Sequence, residues 1–256
     1  QKNTTVWWYR TAAVLLIAAI VGVITYQTQL RQKAETVPKE IALRNVETEY
    51  GEQKTIRLSD GSSIMLNAHS SLTYPAGWVR GEAIQVQLEG EAYFDIAKRA
   101  SAGEPAFEVK TLDGTIQVMG TSFVVDTREQ RTRVGLEEGA VRIIRDSVND
   151  TGKKELIQLE PSQLAEFSRF EDAVTISRAN PQTFTSWTRQ VLIMDNTPFS
   201  ELTDRIRNTY GVEVRVNDQE LYERRLTGSA NLQSLNLLIT AISEVLEIDV
   251  RRSGNT

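Results

Sequence analysis

The chain has no cysteine and one histidine, His69, in 256 residues. Without thiols it can form no disulfide, no thiolate nucleophile and no Cys-ligated metal site, and a cysteine-free chain is compatible with an oxidising compartment without establishing one. One imidazole leaves little room for a His-rich metal centre or a Ser-His-Asp triad. Phosphate-binding glycine loops, HExxH helices, GxSxG elbows and EF-hand loops are all absent. The formal net charge of −5 argues against a nucleic-acid-binding face, which is normally basic. Long apolar runs are also scarce: there is one, at the start.

That run is Val6–Tyr26. Ala12–Ile24 holds only Ala, Val, Leu, Ile and one Gly, and no charge interrupts residues 11–26. As a helix, 21 positions reach about 31 Å, the thickness of a hydrocarbon core. Trp7, Trp8 and Tyr9 at one end and Tyr26 at the other suit headgroup level, with Arg10 close enough to one edge to snorkel. A cleaved signal peptide would have a similar apolar centre, but residues 25–29 (TYQTQ) offer no small-x-small cleavage site. A retained single-pass helix over residues 6–26 is the expectation, with 1–5 as a residual cytoplasmic segment and 27–49 as a polar juxtamembrane linker that could prolong the helix. Lys2 and Arg10 on one side, and Arg31, Lys33 and Lys39 on the other, leave the orientation open. The chain begins at Gln1 rather than Met, so further sequence is expected before it.

From Lys54 the texture changes to short alternating runs broken by Gly, Asp and Asn. Ile56 and Leu58, the turn Asp60-Gly61-Ser62, then Ile64 and Leu66 read as a β-hairpin. Ile84, Val86 and Leu88, the turn Glu89-Gly90-Glu91, then Ala92, Phe94 and Ile96 predict a second. Phe107–Val109, Ile116–Val118, Phe123–Val125, Val134–Leu136, Val141–Ile144, Leu156–Leu159 and Leu164–Phe167 continue at turn spacing. About ten strands with no helical period predict an all-β domain over residues 50–179. Beyond Asn180-Pro181 the period changes. Val191–Met194 reads as a strand, and Thr197-Pro198 as a helix start with Pro at its first position. Phe199, Leu202, Ile206 and Tyr210 form a helical stripe, which Gly211 ends, and Val212–Val216 alternates as a strand. Leu226–Gly228, a cap at Ser234, a second stripe from Leu235 to Leu246, and Ile248–Val250 repeat the unit. Two β-α-β units predict a small α+β module over residues 187–252.

Little here suggests catalysis on an outside substrate. The acidic residues of the two Gly-containing turns are explained by turn geometry, and His69 lies in a polar stretch where solvation is the simplest account. Gly120-Thr121 is the one chemically distinctive pair. Gly permits unusual backbone angles, and a strained Gly–Thr bond can be attacked by the Thr hydroxyl at the Gly carbonyl, giving an ester that water cleaves. The bland alternative is a β-bulge carrying a surface Thr.

Taken in order, Leu58–Ser62 (LSDGS), Leu66–Ser70 (LNAHS), Leu88–Asp95 (LEGEAYFD), Phe107–Val109 (FEV), Val118–Val124 (VMGTSFV), Val134–Val141 (VGLEEGAV) and Leu159–Ser162 (LEPS) resemble the FecR-type, iron-dicitrate sensor family of transmembrane regulators of extracytoplasmic-function sigma factors. Ser162 departs from the Gly or Asn that usually follows Pro there. The C-terminal repeat is similar to the STN module of secretins and TonB-dependent transporters. The resemblance implies a non-enzymatic anti-sigma factor of the inner membrane, its N-terminus cytoplasmic and its β domain and STN-like module periplasmic. It implies two protein partners: an ECF sigma factor, held by a segment preceding this chain, and the N-terminal signalling domain of a TonB-dependent transporter, met by the STN-like module. It implies no cofactor, no metal and no nucleic acid. Some members of this family cut themselves at a Gly-Thr bond in the matching motif, which makes Gly120 and Thr121 the candidate site residues. The rival readings are a tethered STN-like scaffold without a sigma partner and a periplasmic hydrolase, the latter lacking any visible acid-base pair.

Overall fold

A computed structural model describes residues 20–23, 25–27, 42–77, 83–98, 107–146 and 153–251. The chain divides into a segment ending at Ile41 and a compact unit from Ala42 onward. In the first, residues 20–23 and 25–27 are helical. The rest of the expected membrane helix and most of the expected linker lie outside the described residues. No helix among the described residues is long and apolar enough to cross a membrane.

The compact unit opens with β1 (Leu43–Thr48), β2 (Lys54–Arg57), β3 (Ser63–Leu66), β4 (Ser70–Pro75), β5 (Ile84–Glu89), β6 (Glu91–Asp95) and β7 (Phe107–Lys110). There follow β8 (Thr115–Val118), β9 (Ser122–Asp126), β10 (Thr132–Glu138), β11 (Val141–Asp146), β12 (Lys154–Leu159), β13 (Gln163–Ser168) and β14 (Glu171–Arg178). They form two seven-stranded sheets, ordered β1-β4-β5-β7-β8-β11-β12 and β14-β13-β10-β9-β6-β3-β2. Every pairing is antiparallel except β5 with β7. The alternation that marks the strands also sorts the faces: Ile84, Val86 and Leu88 are buried while Gln85 and Gln87 are exposed. Both inner faces supply one core, with Phe94, Phe107 and Phe123 at its centre. Phe94 stacks on Phe123 at 4.9 Å and meets Phe107 edge-on at 6.0 Å, both within the range of favourable aromatic pairs.

Two expectations need correction. Residues 43–48 are not linker: β1 pairs with β4 from Leu43↔Pro75 to Thr48↔Ser70. The turn Glu89-Gly90-Glu91 does not close a hairpin. β5 belongs to the first sheet and β6 to the second, so the chain crosses the sandwich at Gly90, whose φ of +94° suits glycine. The segments between β3 and β4, β8 and β9, β10 and β11, and β12 and β13 make the same crossing. Apart from Asp60-Gly61-Ser62, which does close the β2–β3 hairpin, most of the recurrent turn motifs are therefore corners between sheets. They stack: Asn67 N–H donates to the Glu91 carbonyl (2.9 Å), Thr127 N–H to that of Gly90 (2.8 Å), and Ile96 and Thr121 exchange backbone bonds of 3.0 and 3.2 Å.

After β14 come α1 (Pro181–Thr185), a 3-10 turn (Ser186–Arg189), β15 (Val191–Pro198), α2 (Phe199–Tyr210), a 3-10 turn (Gln219–Glu223), β16 (Arg225–Asn231) and α3 (Leu235–Leu246). Asn180 caps α1, its side chain accepting from Gln182 N–H at 3.0 Å. The strand β15 runs through Thr197, and Pro198 is the N-cap of α2 rather than its first residue. Phe199, Leu202 and Ile206 of α2 and Leu238, Ile242 and Leu246 of α3 bury one face of each helix in a second core, the three- and four-residue spacing of an amphipathic stripe. The β-α-β repeat is only half realised. β15 and β16 pair antiparallel, but Val212–Val216 and Ile248–Val250 join no sheet among the described residues.

Candidate functional site

The C-terminal α+β part meets the sandwich through contacts that begin with missing side chains. Gly135 in β10 lies under the Phe184 ring of α1; a Cβ there would fall 2.7 Å from the ring. Gly211, which ends α2 with φ +70°, sits against Tyr50 in the same way, and Tyr50 stacks on His69 with centroids 4.2 Å apart. His69 is exposed, as its polar setting implied. Backbone and side-chain bonds cross the same interface: Gly51 N–H donates to the Thr209 carbonyl (2.7 Å) and Gln53 Nε2 to that of Trp187 (3.2 Å). Trp187 is buried, and its Nε1 has no hydrogen-bond partner among the described residues.

Behind these contacts lies a charged cluster. Glu91, only 8% exposed, accepts from Asn67 Nδ2 (2.7 Å) and Arg128 Nη1 (3.0 Å). Asp126 accepts from Arg133 Nη2 at 2.8 Å. The other amine of Arg133 lies 3.9 Å from Glu201 on α2, which also pairs with Arg205 at 3.0 Å. Arg207 on α2 reaches Glu129 at 3.5 Å. Burial and the neighbouring Asp126 carboxylate push the Glu91 pKa up. Asp126, although desolvation opposes it, is held below its ordinary value by Arg133 and Arg128. Arg133 is correspondingly held more firmly in its charged form by Asp126. The cluster lines a polar cavity of about 350 Å³. It couples β6, β9 and β10 of one sheet to α2, so tilting α2 must break or stretch charge pairs in a poorly hydrated setting. None of this was visible as a motif: Glu91 belonged to a turn signature, and Arg133, Glu201 and Arg205 carry no local pattern.

Gly120-Thr121 forms the β8–β9 corner. Gly120 has φ +136°, and a Cβ on it would lie 2.7 Å from the Lys98 Cα. Thr121 is buried, and its hydroxyl donates to the Ala140 carbonyl at 3.0 Å. Gly139, φ +96°, faces this peptide; a Cβ there would lie 2.9 Å from both the Gly120 oxygen and Thr121 Oγ1. The corner thus packs the Gly120–Thr121 peptide closely against Gly139, where a side chain would not fit. The hydroxyl's partner is itself a carbonyl, which orients the O–H but takes no proton. Lys98 and Glu138 on the neighbouring segments form an exposed pair 3.9 Å apart. Asp60, at its hairpin tip, accepts from Ser62 N–H at 3.0 Å. No cluster of three or more His, Asp or Glu able to hold a metal occurs among the described residues.

A sandwich of crossing hairpins followed by a two-stranded α+β unit is also the fold of a candidate anti-sigma factor from Parabacteroides distasonis. Two crystal structures so described, at 2.50 and 1.65 Å, superpose with a TM-score of 0.67 each, at 24% and 23% identity, over 83% and 82% of this chain and 95% of each of those. No curated protein matches the chain. Residues 44–142 match the FecR protein family and residues 191–256 the FecR C-terminal family, in that order; the chain belongs to the FecR family.

Proposed function

We propose that this chain is the signal-receiving part of a membrane-anchored sigma-factor regulator, an anti-sigma factor. The observation that carries the proposal is the ordered match to both FecR regions, together with the fold it shares with a candidate anti-sigma factor. In this reading Val6–Tyr26 anchors the chain in the inner membrane and residues 42–251 lie in the periplasm. A TonB-dependent transporter presents its N-terminal signalling domain to the C-terminal unit, and an ECF sigma factor is held on the cytoplasmic side. The Glu91–Arg128 and Asp126–Arg133–Glu201 pairs give such docking a route into the sandwich, because a partner that moves α2 acts on β6, β9 and β10. The test is binding of the purified full chain to the signalling domain of a transporter encoded beside it. Ending the chain after Gln190, which keeps Phe184 and Trp187 on the sandwich, is expected to abolish binding while the β-sheet circular dichroism is retained. Undiminished binding by that shortened, folded chain would refute the placement.

Self-cleavage between Gly120 and Thr121 belongs to the same proposal. The Thr121 oxygen attacks the Gly120 carbonyl carbon, the amide nitrogen leaves as the free amine of Thr121, and water hydrolyses the resulting ester. The positive φ of Gly120, a conformation that side chains rarely adopt, supports it.

A further inference from the structure

Val212–Val216 is a strand in everything but its pairing. Its side chains alternate: Val212, Val214 and Val216 are half-buried against the second core, while Glu213 and Arg215 point to solvent with side chains 69% and 81% exposed. Among the described residues, no backbone group from Val212 to Asn217 makes a backbone hydrogen bond. Backbone N–H and C=O groups in a half-buried extended segment are normally paired, and an unpaired row of them is a template for another strand. β1, β2, β12 and β14, the edge strands of the two large sheets, each already have one ladder partner. Among the described residues this segment has none, a condition that it shares with Ile248–Val250 on the same groove.

Its sequence selects the partner. Written as Val-Glu-Val-Arg-Val, it is complementary to itself when run antiparallel about Val214. Glu213 of one copy then stands opposite Arg215 of the other, Arg215 opposite Glu213, and Val212 opposite Val216 on the inward face. Sliding the pair by two residues either way puts Glu213 against Glu213 or Arg215 against Arg215, and like charges directly opposed are destabilising. A slip by one turns the valines outward. In the single copy Glu213 and Arg215 pair with each other at 3.0 Å along the same strand face, with Arg207 also near enough to act on Glu213. We infer that Val212–Val216 is a homodimer interface, pairing antiparallel with the same segment of a second copy across a two-fold axis at Val214. The pairing would join the two C-terminal units edge to edge and leave both sandwiches free.

The full chain in detergent micelles tests this by sedimentation velocity. A concentration-dependent dimer is expected. Glu213→Arg, which sets Arg against Arg at two places, should weaken it by about tenfold or more. The exchange Glu213→Arg with Arg215→Glu should restore it. The chain has no cysteine, so single substitutions give an independent readout of register. Val214→Cys should form a disulfide-linked dimer under mild oxidation, because residue 214 faces its own counterpart. Glu213→Cys, facing residue 215, should do so far less. A chain that stays monomeric at about 100 µM overturns the inference, at a concentration where even a weak complex is populated. So does a dimer indifferent to Glu213→Arg, which would rest on another surface, or equal cross-linking from positions 213 and 214.

Discussion

Removing the carboxylate of Glu91 is the most direct probe of the charged cluster. In Glu91→Ala, Arg128 loses an ion-pair partner at 3.0 Å and Asn67 an acceptor at 2.7 Å. Arg128 keeps the Ala68 carbonyl and the Ser70 hydroxyl, but these are neutral. Breaking a buried pair by deleting one member costs roughly 3–5 kcal/mol. The side chains here are 13% and 10% exposed, and repulsion from Asp126 is relieved, so about 3 kcal/mol is expected. For a folded unit of this size that corresponds to a melting temperature about 6–12 °C lower. Glu91→Gln keeps an acceptor for Asn67 and should lose less than half as much. The pH dependence is a second check. Burial raises the Glu91 pKa above its ordinary 4.5, so the folded state binds that proton more tightly than the unfolded chain. The contribution of Glu91 is greatest below about pH 4.5 and declines as the pH rises through the raised value. Glu91→Ala should therefore fall further short of the wild type at pH 5 than at pH 8. Melting curves of the two variants within 1 °C of wild type at both pH values would refute the ion-pair account.

Phe94→Ala removes a fully buried ring that stacks on Phe123; a loss of about 3–5 kcal/mol is expected by denaturant unfolding, and a loss under about 1 kcal/mol would misplace the ring. Gly135→Val should lift Phe184 from β10, because even a Cβ would sit 2.7 Å from its ring. Hydrogen exchange in residues 181–190 should then accelerate while β9 remains protected. Under denaturing electrophoresis, a self-cleaving chain gives two fragments meeting between residues 120 and 121, and Thr121→Ala gives one band. A wild-type chain still intact after prolonged incubation would leave the corner purely structural.

Alternation of apolar residues was enough to find most strands and their inward faces, because a strand with one buried face must repeat every two residues. It failed where burial is slight. β1 and β14 are edge strands whose side chains are mostly exposed, so Arg44, Asn45 and Glu47 look like linker and Glu171–Arg178 does not stand out as a strand within the β domain. It also failed on the destination of turns. Gly90 announces a reversal through its positive φ, but whether the next strand returns to the same sheet or crosses to the other is decided by the filling of the core from both sides. Phe94, opposite Phe107, belongs across. The FecR motifs were legible as a series because corners need particular residues at particular places. The charged interface was not: Glu91, Arg133 and Glu201 lie far apart in sequence, and only the docking of α2 on β10 gives them a common neighbourhood. Val212–Val216 shows the opposite case, a strand pattern legible in the sequence that finds no ladder partner among the described residues.

The corner at Gly120-Thr121 has a mechanical meaning. The first sheet takes β1, β4, β5, β7 and β8 from before it and β11 and β12 from after it; the second takes β2, β3 and β6 from before and β9, β10, β13 and β14 from after. A chain severed there would keep its shape, since each fragment is threaded through both sheets, yet covalent continuity from the N-terminal segment to the C-terminal unit would be gone. Tension on the C-terminal unit would then be carried by shear along the β8–β11 and β6–β9 ladders, which join the two fragments, rather than by peptide bonds. Such a joint is silent at rest and yields only under load, at a rate set by how hard and how long it is pulled.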